Sequence, residues 1–189
     1  YLIKGLPVAN ALLPIEIEEY DWEALNIKPI DFKKALLNRS RKNRVYLMNL
    51  IDKITEDIEN KITVEDEKIS AARMFLRADI RFILAYQNVN REKSYSFYNV
   101  DEPTNWPKAK YVRIDHELEI DTALEEYENA LKIYPKSDYL LSTQYHKSLL
   151  LLEKHDFLNS IFEAHRVSSK IPDDSKWKNN FNDLLVEAY

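Results

Sequence analysis

Residues 120–135 read IDTALEEYENALKIYP and residues 157–172 read FLNSIFEAHRVSSKIP. Laying Pro135 on Pro172 sets Ile120 against Phe157, Ala123 against Ser160, Leu124 against Ile161 and Ala130 against Val167. The apolar residues recur at helical spacing, and the small ones fall where a second helix has to come close. Each segment then stops at a proline, which cannot continue a helix. Ahead of the second segment lies QYHKSLLLLEKHDF, an apolar helical stretch with Ser148 in its middle and a polar break over residues 153–156. Helix, turn, helix, proline is the unit these residues spell.

That unit resembles the tetratricopeptide repeat, whose second helix carries an aromatic, a small residue, a second small residue and then proline. Phe157, Ser160, Val167 and Pro172 match it, and the earlier segment supplies Ala123, Tyr127, Ala130 and Pro135. The chain departs from the family in the first helix, where Ser148 stands for the usual glycine and Gln144 for the usual tryptophan. The two prolines are also spaced more widely than the family period of about 34 residues.

The resemblance implies an all-α fold of antiparallel helix hairpins and a role in binding a protein or peptide partner. In this family the first helix of each pair lines the groove, which on this chain turns Ser142, Tyr145, Leu149, Leu152 and Glu153 toward a partner. Packing between helices is the competing explanation for Tyr145, Leu149 and Leu152. Some members clamp a C-terminal carboxylate with a lysine and an asparagine. Here Tyr145 and Leu149 stand at those places, so burial of apolar or aromatic partner side chains is expected instead. The connection IYPKSDYLLSTQYHKS is similar to linkers in bacterial envelope proteins of this repeat class, among them outer-membrane assembly lipoproteins and periplasmic coordinators. A cell-envelope location follows from that likeness, with an export signal or membrane tether upstream of Tyr1, and a cytoplasmic adaptor is the rival.

Composition narrows the function classes. With 189 residues, 45% of them apolar, the chain suits one domain with a sizeable core. A single glycine excludes a glycine-rich phosphate loop and a dinucleotide fingerprint, and with them the usual nucleotide cofactors. A net charge of -5 offers no general attraction to nucleic acid. The absence of cysteine removes disulfides, thiolate metal sites and thiol catalysis. No stretch reaches the roughly 18 apolar residues that span a bilayer.

Taken in order, residues 1–30 read as an extended segment laid on the body by Leu12, Leu13, Ile15, Ile17 and Trp22, with at most a short helical turn at 22–25. Residues 31–88 read as N-terminal helices. Asp31 is placed to cap the first, with Phe32, Ala35 and Leu36 inward, and Leu47, Ile51, Ile54 and Ile58 form a second seam. Between them RSRKNR, residues 39–44, reads as a solvated connection more readily than as a nucleic-acid patch.

Thr63 and Asp66 resemble a capping box opening a helix over 64–87. Ile69, Ala72, Phe75, Leu76, Ile80, Ile83 and Leu84 give that helix its apolar face, and the stripe Arg73, Arg77, Arg81 is expected in water. Residues 89–106 read as an aromatic-rich insertion whose Tyr95, Phe97 and Tyr98 either dock on the helices or bind a partner. Pro107 suits a first helical turn, with a break near Asp115, and residues 107–172 hold the helix pairs. Residues 173–189 read as a closing helix, capped by Asp174 or Ser175, with Trp177, Phe181, Leu184 and Leu185 inward.

Little catalytic chemistry is written in the chain. His116 is followed by Glu117, but the zinc-protease pattern needs a second histidine where Ile120 stands. His146, His155 and His165 have no glutamate three residues before them, which removes the helical di-iron pattern. No catalytic residue, metal ligand or cofactor site is assigned. Two other classes stay open: a self-assembling helical protein, pairing through residues 95–98 or the end helix, and an enzyme using carboxylates such as Asp115, Glu117, Glu119 and Asp121. The second requires a deep pocket that holds a carboxylate pair.

Overall fold

A computed structural model describes residues 20–37, 41–60, 66–98, 107–168 and 170–189, with the side chains of residues 37, 41, 86–98, 107–117 and 176 excepted. Among the described residues the protein is all-helical, with seven helices and no strand: α1 Pro29–Leu37, α2 Arg41–Glu59, α3 Glu67–Tyr98, α4 Pro107–Ile133, α5 Leu140–Glu153, α6 Phe157–Ser168 and α7 Lys176–Ala188.

Residues 21–25 form a helical turn within the segment expected to be extended. Asp21 Oδ1 accepts the Ala24 N–H at 3.0 Å, and Asn26, at φ 52°, closes the turn. There Ile27 N–H reaches the Trp22 carbonyl and Asn26 N–H the Glu23 carbonyl, the paired closure a left-handed residue permits at a helix end. The turn buries Tyr20, Leu25 and Ile27. The apolar residues at 12–17 lie outside the described residues.

Pro29 occupies the first position of α1, where a missing N–H costs nothing, so Asp31 falls inside the first turn and not ahead of it. Phe32, Ala35 and Leu36 are buried, as are Leu47, Ile51 and Ile54 on α2. Of the basic cluster, residues 41–44 belong to the start of α2 and not to a connection, and Arg44 hydrogen-bonds Glu119 on α4. Arg39 and Ser40 lie outside the described residues.

Asp66 caps α3 itself, its Oδ1 accepting the Lys68 N–H at 3.0 Å, whereas Thr63 lies outside the described residues. The expected break after Gln87 does not occur. α3 runs on through Tyr98, because no glycine or proline stands between Asp66 and Pro103 and Arg91, Glu92 and Lys93 are good helix formers. Nor is the arginine stripe left in water. α2 and α4 flank α3, so Arg77 Nε meets Glu126 at 2.6 Å, Arg81 meets the same carboxylate at 3.4 Å, and Arg73 meets Asp57 at 3.8 Å.

α4 passes Asp115 without interruption. The turn from α5 to α6 places His155 at φ 61°, with Asp156 N–H on the Leu151 carbonyl and His155 N–H on the Leu152 carbonyl. Where α5 and α6 meet, Ser160 Oγ donates to the Ser148 carbonyl at 2.8 Å. Ser175, not Asp174, caps α7 by accepting the Trp177 N–H at 3.3 Å.

α3 packs on α4 and α5 on α6; α5 also touches α3, α4 and α7, and α7 touches α6. α2 packs on α3, and α1 on α2. The largest core cluster joins the N-terminal turn, α1, α2, α3, α4 and Leu150 of α5. A second is built from Ala164, Val167, Ile171, Trp177, Phe181 and Leu184, with Tyr145 and Leu149 of α5 packed against it. α5 therefore carries one side in each.

Candidate functional site

On α3 the core-facing positions run through Ala72, Phe75, Leu76 and Ile83, and Asp79 falls on the same stripe. A carboxylate there must be paired or costs several kcal/mol (order of magnitude). Asp79, 4% exposed, is met by three groups from three other segments. Tyr20 donates its O–H to Oδ2, Tyr127 donates to Oδ1 at 2.5 Å, and His146 Nδ1 lies 3.0 Å from Oδ1. Tyr127 Oη and His146 Nδ1 are 2.9 Å apart. Since both tyrosines spend their protons on the carboxylate, a proton on Nδ1 completes the set.

Burial pushes both tyrosine hydroxyls well above their ordinary value of 10.0, and the Asp79 charge and hydrogen bond push them further. Phe82 stacks on the His146 ring at 4.5 Å, and Tyr20 stacks on Tyr139 at 4.9 Å. The arrangement ties the N-terminal turn, α3, α4 and α5 to one side chain. Sequence reasoning missed it, although a lone aspartate on an otherwise apolar helix face was the available signal.

The residues assigned to a groove on α5 do not share one open face. Ser142 is buried, its Oγ donating to the Tyr139 carbonyl at 3.0 Å. Tyr145 packs between Trp177 at 5.6 Å and Phe181 at 5.5 Å, so α7 covers it; burial first, then Asp183 and Glu187, raise its hydroxyl. Leu149 packs against both cores. Leu152 and Glu153 are half-exposed at the end of α5. Tyr95, Phe97 and Tyr98 sit in the last turns of α3, and their side chains lie outside the described residues.

An open groove of about 830 Å³ lies between the N-terminal turn, the start of α3 and the turn from α4 to α5. Leu25, Ala72, Tyr134 and Tyr139 line it, with exposed Asp66 and Asp138 beside them. Asp79 is not among its walls. Glu119 and Asp121, two of the carboxylates considered for acid–base work, pair instead with Arg44 and Lys154, and the side chains of Asp115 and Glu117 lie outside the described residues. Among the described residues no cluster is placed to hold a metal ion, and no helix is long and apolar enough to cross a membrane.

Among the described residues α6 exposes a run of large apolar side chains. Leu158 is 82% exposed and Phe162, one turn later, 62% exposed, with Phe157 beside them. His165 continues the stripe and approaches the Tyr189 hydroxyl at 3.4 Å. No family model, curated protein or solved structure matches this chain.

Proposed function

We propose that this chain is a non-enzymatic helical scaffold that binds a protein or peptide partner, built from stacked tetratricopeptide-like pairs, α3 with α4 and α5 with α6, and closed by α7. The observation that carries the reading is the order of contacts. α3 touches α5 and α5 touches α7, while α4 touches α5 and α6 touches α7. Stacked pairs make those contacts, since each first helix then lies against the first helix of the next unit and against the second helix of its own. The hydrogen bond from Ser160 to the Ser148 carbonyl adds a close approach at the small positions of the repeat.

The binding face on this reading is the α3, α5 and α7 side, and Leu152 and Glu153 are half-exposed residues of α5 that neither core takes up. The linker likeness adds a bacterial envelope location to the proposal. The experiment is affinity capture from the native cell, comparing the chain with a Leu152→Glu, Glu153→Lys variant. Loss of one or more captured proteins, with the thermal midpoint unchanged, is the expected outcome. Equal recovery of every protein refutes this face.

A further inference from the structure

We draw no further inference here: the strongest candidate, the open groove between the N-terminal turn, the start of α3 and the turn from α4 to α5, has a rim that selects no occupant, because Asp21 and Asp66 are engaged in capping backbone N–H groups and Glu67 and Asp138 are matched by Lys68 and Lys136, so nothing in the structure shows what covers it.

Discussion

A buried carboxylate is tolerated only when its partners outweigh the water it lost, and Asp79 has three of them. Tyr20→Phe removes one donor and leaves Oδ2 without that bond, a loss of about 1–3 kcal/mol by urea denaturation at neutral pH. The tyrosines also set an alkaline limit. Their folded pKa values are raised above the ordinary 10.0, so the unfolded chain releases protons that the folded chain retains. Stability from this source is intact below pH 10 and falls as the pH climbs above it toward the raised values. Each tyrosine contributes a slope of about 1.4 kcal/mol per pH unit. Denaturation midpoints measured across pH 9 to about 12 check this, and Tyr20→Phe halves the decline attributable to the pair.

Between elements, small residues mark the places where helices touch. Ser160 is fully buried with its hydroxyl on the Ser148 carbonyl, so Ser160→Leu overpacks the α5–α6 contact by about 1–3 kcal/mol and lowers the thermal midpoint, read by circular dichroism. Those positions were legible in the chain, as were the inward faces of α1, α2 and α7, because hydrophobic spacing and proline stops are local signals. Residues that act across distance were not. Arg77 and Arg81 look like a solvated stripe until α4 brings Glu126 to them, and Tyr145 reads as lining a groove until α7 lays Trp177 and Phe181 on it. Helix ends manage here without glycine. The left-handed closures at helix ends exist, but Asn26 and His155 make them.

Across the whole molecule, α5 is the member shared by two cores, which divides stability unevenly along the chain. The larger core holds the N-terminal turn and α1 to α4, while the smaller depends on α6 and α7 packing on one side of α5. Phe181→Ala, a fully buried change, removes about 3–5 kcal/mol from the smaller. Amide hydrogen exchange is expected to accelerate in α6 and α7 and to stay near its native rate in α2 and α3, as neighbour-only contacts imply. Uniform acceleration across all helices would show the two cores to be a single cooperative unit.

The knot at Asp79 also bears on the order in which a growing polypeptide can finish folding. Tyr20 and His146 stand on opposite sides of Asp79 in the chain and far from it, at separations of 59 and 67 positions. A nascent chain emerging from the ribosome presents Tyr20 and Asp79 long before the histidine that completes their set. Until α5 is out, the carboxylate has to keep its water, and the N-terminal turn has only a partial berth. Synthesis halted ahead of residue 146 should therefore leave that turn open to proteases, and release of the next stretch should close it.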